Sequence, residues 1–303
     1  DGINDSPALK AADIGIAMGK SDTDLARDVA DVVLTGDNLE LMATTLADGR
    51  SIYQNIRKSV HYSLATNISE IQLIATAVAL GMNSPLNVMQ LLWINLISDI
   101  LPGLALSAEK PETDVMDQQP REKDEALYDK KDFTKMMVES TTMTGSAMTA
   151  LLYGISRYGA GARAGGLAFQ ALTIGQLLHA FTCRSESSGM FTRKKLPKNR
   201  YLDWAVGGSI ALQVATMFFP PLRSLLGLTA ITLTDGLVIG ATSTLPMVIN
   251  EVIKTVKEPE RDPDQQPHKG LDAAIDITSL AEVEETPCEN TEQVQADFKN
   301  LCN

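Results

Sequence analysis

Two apolar stretches carry oxygen-bearing side chains at spacings that would suit a cation site. They cover residues 60–80 and 91–106, and their polar residues are Asn67, Glu70, Asn95, Ser98 and Asp99. Offsets of three and four residues place the two of the first stretch on one helix face and the three of the second on another. Two carboxylates with amide and hydroxyl oxygens are ligands for a small hard cation. The pattern therefore predicts an ion path.

The two stretches are long enough to cross a bilayer, and polar side chains are costly in its hydrocarbon layer. Each is close to the roughly 20 residues that a membrane-spanning helix needs. A carboxylate in the hydrocarbon layer costs at least about 2.5–3.5 kcal/mol, so it faces a partner, a cavity or an ion. Pro102 follows Asp99 and removes a backbone donor, which frees carbonyl oxygens as further ligands. The alternative is that these groups hydrogen-bond across helices and only hold them together.

Six membrane spans are predicted in all. The short connection 81–87 makes the first two an antiparallel hairpin, and four more apolar stretches follow at 135–158, 166–183, 202–220 and 228–253. The connection 184–201 is strongly basic, so the positive-inside rule puts it and both termini in the cytoplasm. The lipid bilayer is thus a partner, the cell membrane is the expected location, and the basic run predicts no nucleic-acid partner.

Charge and cysteine content restrict the kinds of segment and site that the chain can contain. The net charge is −12, and residues 257–303 hold twelve acidic and four basic side chains, so the tail 256–303 is predicted to be disordered and cytoplasmic. Cys183, Cys288 and Cys302 form no CxxC pair, and their spacing predicts neither a disulfide framework nor a zinc site. Since the chain opens on Asp1 without an initiator methionine, we expect a fragment.

Residues 1–50 have the pattern of an α/β domain. Two short β-branched or alternating runs, 13–18 and 31–34, predict buried parallel strands, with helices at 22–30 and 39–49. Residues 49–59 are helical and basic in pattern, and we expect them to run as a rod into the first span. The opening residues hold Asp1, Asn4 and Asp5, a set that suits Mg²⁺ and a phosphoryl group.

Longer motifs resemble those of a known family. The strings DGINDSPALK at 1–10 and IGIAMG at 14–19 resemble the hinge motif of P-type ATPases. LLWINLISD at 91–99 and KPETDVMDQQPR at 110–121 resemble the calcium-pump-like branch of that family. The resemblance covers residues 1 to about 255.

The resemblance implies a mixed fold and a transport activity. The fold would be the carboxy-terminal part of a HAD-like phosphorylation domain (1–50), a coupling helix and first hairpin (51–108), a cytoplasmic loop (109–134) and four further spans (135–255). Asp1 would hold Mg²⁺, while Asn4 and Asp5 would organise the phosphorylated site. The family's DKTGT and TGES motifs and nucleotide domain are not in this sequence. ATP would bind to the rest of the pump polypeptide, and this chain alone is not expected to hydrolyse it.

The ion itself stays open at this point. Gln176 stands where the calcium-pump branch has a glutamate ligand, and Ser98 stands where relatives often have threonine. The amide lowers the charge of the site and leaves open whether a second ion binds. Ca²⁺ is the first choice, with Mn²⁺, Na⁺, K⁺ and H⁺ as alternatives, and the absence of a Cys-Pro-Cys motif disfavours Cu⁺.

A truncated, non-catalytic membrane module and a secondary transporter are the other functional classes. His179 is expected to be an interhelical donor.

Overall fold

The computed structural model describes residues 4, 6–18, 23–34, 39–110, 116, 126–184 and 198–257. Within them the chain is mostly helical. A small α/β portion comes first, with α1 at Ser6–Ala11, β1 at Ile16–Met18, α2 at Asp24–Val29 and β2 at Val32–Leu34. The two strands pair in parallel, with Ile16 opposite Val32. This confirms the predicted strands and their direction. The HAD-like assignment of this portion stays a prediction.

One helix of 41 residues, α3 at Leu39–Ala79, connects the small sheet to the rest of the structure. The sequence predicted that residues 49–59 run into the first span, with a separate helix at 39–49, but the helix is continuous through all three stretches. Gly49 lies inside it and interrupts nothing, since a single glycine in a helix costs only about 1 kcal/mol relative to alanine. The predicted rod therefore exists, and it is longer than expected.

The second apolar stretch is broken into three parts. α4 covers Val88–Trp93, a π-helical turn covers Ile94–Ser98, and α5 covers Ile100–Ser107. The backbone N–H of Asp99 donates to the carbonyl of Ile94, the five-residue spacing of a π turn. Pro102 lies four residues beyond Ser98 and has no N–H to offer that carbonyl. The expected weakening of this helix is thus confirmed.

Pairs of side chains show that α3 and the broken helix run antiparallel. Ser59 contacts Gly103, Tyr62 contacts Asp99, and Glu70 contacts Asn95, so the partner's number falls as that of α3 rises. Gly81 begins the turn between the two helices with a φ of 74°, a conformation that glycine adopts without steric cost. The predicted hairpin is confirmed.

Four further long helices occupy the remaining apolar stretches. They are α6 at Lys130–Tyr158, α7 at Ala162–Thr182, α8 at Arg200–Phe218 and α10 at Leu233–Lys257, with a short α9 at Pro220–Leu225. α7 packs against α6 and α10, and α3 packs against α6. Close approach is possible because Gly154 faces Ala164 of α7 so tightly that a Cβ there would lie 2.7 Å from the Ala164 Cα.

The membrane prediction is confirmed only in part. Among the described residues, two helical stretches are both long and apolar enough to cross a bilayer, Val88–Ser107 and Leu233–Thr255. The other four helices are long but do not reach the same apolar composition, so six spans remain a prediction. α10 continues to Lys257, two residues into the predicted tail, and the rest of that tail lies outside the described residues.

Candidate functional site

A carboxylate cluster forms where α3, the π turn and α7 meet. We define it by Glu70, Asn95, Asp99 and Gln176. Glu70 and Gln176 are buried, with 5% and 0% of their surface exposed, while Asp99 is half-buried. Helical periodicity explains why Glu70 faces inward from α3, and the π turn sets the direction of Asn95 and Asp99. These are four of the six residues predicted to bind the cation.

Neutral amides surround the Glu70 carboxylate. Asn95 Nδ2 donates to Glu70 Oε2 over 2.9 Å, and Gln176 Nε2 lies 3.4 Å from Glu70 Oε1. The same Gln176 nitrogen donates to the carbonyl oxygen of Thr66 at 3.1 Å and to Ser69 Oγ at 3.2 Å. Asn95 and Gln176 carry no charge, so they leave the negative charge of Glu70 uncompensated.

Two buried oxygens in the cluster accept no hydrogen bond. Tyr62 donates to Asp99 Oδ1 at 3.2 Å, but Asp99 Oδ2 has no donor, and neither does Gln176 Oε1. A buried acceptor without a partner costs about 1–3 kcal/mol. A cation is one group that such an open acceptor could bind.

The other two predicted ligands lie in different surroundings. Ser98 is buried, with 2% of its surface exposed, on the same turn as Asn95. Asn67 is half-buried, and its Nδ2 donates back to the carbonyl of Ser63 over 2.7 Å within α3. The structure therefore does not bring the Asn67 amide into the hydrogen bonds around Glu70, although the two residues are three apart in the helix.

Sequence reasoning missed three polar residues around the cluster. Tyr62, Thr66 and Ser69 all lie on α3 and are buried, with no exposed surface. Their positions at eight, four and one residues before Glu70 were the available signal, because the first two of these offsets are close to whole helical turns. A polar residue one or two turns from a buried carboxylate is therefore worth including in such a search.

The opening motif is described only at Asn4. Asn4 is exposed and lies two residues before α1 begins. Asp1 and Asp5, the other predicted catalytic residues, lie outside the described residues. The structure thus offers no geometry for the predicted Mg²⁺ site, and its assignment stays a prediction.

Asp235, for which the sequence indicated no role, is a structural residue. Its Oδ1 accepts from Tyr158 at 2.8 Å, and its Oδ2 accepts from Arg163 at 3.1 Å and from the backbone N–H of Thr232 at 2.9 Å. Thr232 Oγ1 lies 3.3 Å from the Asp235 N–H, which completes a capping box at the start of α10. We call this group the Asp235 clasp. It joins α6, α7 and α10 at one end of the bundle.

Comparison with known proteins agrees with this architecture. A family model described as "Cation transporting ATPase, C-terminus" matches residues 83–256. The chain belongs to the P-type cation-transporting ATPase family. The matched segment begins in the turn before α4 and ends in α10, so it contains every described residue of the carboxylate cluster except Glu70.

Individual P-type ATPases extend the likeness beyond the matched segment. A calcium-transporting ATPase of Bacillus subtilis is 38% identical over 81% of this chain, and calcium-transporting ATPase 1 of Bacillus cereus is 34% identical over 85%. The human calcium-transporting ATPase type 2C member 1 is 32% identical over 85%. The chain spans 28–31% of the length of these relatives.

Proposed function

We propose that this chain supplies the ion-binding helices of an ATP-driven pump that moves a cation, Ca²⁺ first, across a membrane. The observation that carries the proposal is the pair of buried oxygens without donors, Asp99 Oδ2 and Gln176 Oε1, beside the Glu70 carboxylate. The similarity to calcium-transporting ATPases supports Ca²⁺ as the cargo.

The ligands proposed for the cation are those of the sequence prediction. Some have oxygens that are already available, and others must first break a hydrogen bond. Glu70, Asp99 and Gln176 contribute buried oxygens directly, and Ser98 adds a buried hydroxyl on the same broken helix. Asn95 binds by turning its amide oxygen toward the ion, which breaks its present hydrogen bond to Glu70. Asn67 joins only if it releases the carbonyl of Ser63.

The neutral amide of Gln176 lowers the negative charge of the site, which keeps ions other than Ca²⁺ as alternatives. Two carboxylates balance one divalent ion, and the third carboxylate that a second divalent ion would favour is replaced by a neutral group. Mn²⁺ takes the same oxygen ligands as Ca²⁺, while Na⁺, K⁺ and H⁺ need less negative charge. We propose one divalent ion per site as the first arrangement to test.

The continuity of α3 supports a proposed role for the amino-terminal part of the chain in moving the carboxylate cluster. The helix runs without interruption from the small sheet to Glu70 and beyond, so a displacement at its first turns is transmitted to the cluster. In the proposed mechanism, phosphorylation of an aspartate elsewhere in the pump polypeptide moves this helix, and the cluster then opens to the other side. Asp1 would hold the Mg²⁺ that neutralises phosphate charge, and Asn4 and Asp5 would orient that site.

The topology proposed for the whole segment is six spans with both termini in the cytoplasm of a cell membrane. Charge supports it, because the connection between α7 and α8 carries the basic residues that cytoplasmic loops prefer. ATP binding and the phosphorylated aspartate are assigned to the rest of the pump polypeptide. This chain by itself is proposed to be inactive.

The experiment uses the full-length pump, reconstituted in vesicles. ATP-dependent phosphoenzyme formation is measured while Ca²⁺, Mn²⁺, Na⁺ and K⁺ are titrated, in the wild type and in Asp99→Asn. One ion should drive phosphorylation, and Asp99→Asn should lose that response. The matched control is Asp235→Asn, which changes another buried aspartate and should keep it. If phosphorylation ignores every ion, or if Asp99→Asn responds like the wild type, the cluster only holds helices together.

A further inference from the structure

A second polar cluster lies at the opposite end of the bundle from the Asp235 clasp. Its members come from three helices: His61 of α3, Glu139 of α6, and His179 and Cys183 at the end of α7. We call them the histidine cluster. All four are buried, with between 1% and 7% of their surface exposed. Glu139 lies between the two imidazoles.

The ligand atoms of this cluster converge on a small volume. His61 Nε2 lies 2.5 Å from Glu139 Oε2, and His179 Nε2 lies 3.5 Å from the same oxygen and 3.3 Å from Cys183 Sγ. One ring nitrogen of each histidine and the sulfur of Cys183 lie within 4.8 Å of one another, and Glu139 adjoins this group through its contacts to the two imidazoles. Cys183 is in no disulfide.

These separations are close to those of a tetrahedral metal site. With metal–ligand bonds of about 2.0–2.3 Å, ligand atoms stand roughly 3.3–3.7 Å apart. The His179 contacts to Glu139 and Cys183 already fall near that range. The His61–Glu139 contact is shorter than this range, and it would have to widen by about 1 Å to admit an ion.

We propose that the histidine cluster is a binding site for a transition-metal ion of the Zn²⁺ class, held by His61, Glu139, His179 and Cys183. Two neutral imidazoles, a thiolate and a carboxylate balance the charge of one divalent ion, so the buried site is neutral when filled. Nitrogen and sulfur ligands select Zn²⁺ over Ca²⁺, which takes six to eight oxygens. The site is therefore separate from the carboxylate cluster in chemistry as well as in place.

Three lysines lie beside the histidine cluster. Lys58, Lys135 and Lys254 line a small cleft of about 10 Å³ together with three members of the cluster and Thr182. Their positive charges repel a free cation, so the anionic ligands of the cluster are required for binding.

Tyr62 connects the two clusters. Its ring stacks on that of His179, with centroids 6.5 Å apart, and its hydroxyl donates to Asp99. A metal that fixes His179 against α3 and α6 would therefore restrict Tyr62, and through it Asp99. We infer that Zn²⁺ inhibits transport by preventing movement among these helices, and this consequence alone rests on the proposed function.

Metal binding is tested on the full chain, in detergent and without ATP. The protein carries Cys288→Ser and Cys302→Ser, so that Cys183 is its single thiol. Co²⁺ titration should give one ion per chain, with a thiolate-to-metal charge-transfer band and the visible absorption of tetrahedral Co²⁺. Zn²⁺ should displace the band and excess Ca²⁺ should not. Cys183→Ser should abolish the charge-transfer band, and His179→Gln should weaken binding at least about tenfold.

Two controls keep the test decisive even if a cluster variant fails to fold. His268→Gln removes the third histidine of the chain and should leave Co²⁺ binding unchanged. In the single-thiol protein, Zn²⁺ should slow alkylation of Cys183 by a maleimide at least about tenfold, and a chelator should restore the rate. Absence of one-to-one binding, or protection by Ca²⁺ equal to that by Zn²⁺, overturns the proposal. Neither result bears on ion-driven phosphorylation, so the two proposals fail separately.

Discussion

Two aspartates show how the surroundings of the same side chain differ between two regions of the molecule. In the Asp235 clasp, both carboxylate oxygens accept hydrogen bonds, and the Arg163 guanidinium supplies the opposite charge. In the carboxylate cluster, Asp99 has one neutral donor and one oxygen with none. A satisfied buried charge stabilises a fold, whereas an unsatisfied one is stable only if something else binds it. The comparison distinguishes a carboxylate whose oxygens are both hydrogen-bonded from one that keeps an open acceptor.

The largest effect on folding is expected at the clasp. Asp235→Ala should lower the free energy of unfolding by about 3–5 kcal/mol, because Arg163 is then left without its buried partner. Thermal melts followed by circular dichroism in detergent measure this. The cation-induced rise in melting temperature should persist in the variant. If Asp235→Ala instead removes that rise and leaves the basal melting temperature unchanged, the roles of the two regions are reversed.

The next largest effect is expected on cation binding at Asp99. Asp99→Asn should weaken Ca²⁺ binding about a hundredfold, or roughly 2.7 kcal/mol, because one of two charged ligands becomes neutral. In the absence of cation, its melting temperature should equal or exceed that of the wild type, since an unsatisfied buried charge has been removed. Calcium-dependent melting measures both quantities. A lower basal melting temperature would show that Asp99 contributes to the fold as Asp235 does.

A carboxylate at position 176 should tighten cation binding at the carboxylate cluster. Gln176→Glu adds negative charge beside Glu70, so we expect about tenfold tighter Ca²⁺ binding, equivalent to roughly 1.4 kcal/mol. The matched control is Gln213→Glu, which makes the same change at a buried glutamine that accepts from Trp93 Nε1 and donates to Gln170. Isothermal titration compares the two. Equal gains at both positions would mean that general charge, and not the cluster, attracts the ion.

The smallest effect is expected where a carboxylate is fully exposed. Asp129 caps α6, and the backbone N–H groups of Asp132 and Lys131 hold its pKa below the ordinary value of 3.8. Because the folded pKa is lowered, its stabilisation is fully present above about pH 3.8 and is lost as the pH falls through the folded value.

Asp129→Ala should therefore melt slightly below the wild type at pH 6, and the difference should shrink toward pH 3. Parallel melts across that range measure the difference. Asp203→Ala is a control, since Asp203 lies in the first turn of α8 without being its cap residue. A difference between wild type and Asp129→Ala that grows on acidification would contradict the assignment.

The positions of the helices followed closely from the apolar pattern. The predicted stretches 135–158 and 166–183 correspond to α6 at Lys130–Tyr158 and α7 at Ala162–Thr182. Such agreement arises because an apolar run of this length forms a helix whatever its neighbours are. The π turn at Ile94–Ser98 was not predicted. Pro102 indicated a weakened helix, but the residues that would wind differently depend on how the helix packs.

Residue types and spacing alone therefore determined the two parallel strands, the long helices and the placement of Glu70 and Asp99 on two neighbouring helices, and short motifs indicated the family. These features are local, since helical periodicity and a short motif are complete within a few turns of chain. Tertiary structure decided which distant side chains meet. Gln176 reaches Glu70 across 106 residues, and Glu139 reaches His61 across 78. The spacing of the cysteines predicted no zinc site, yet packing of three helices places Cys183 beside two histidines, because contacts between helices depend on how their faces fit together and not on distance along the chain.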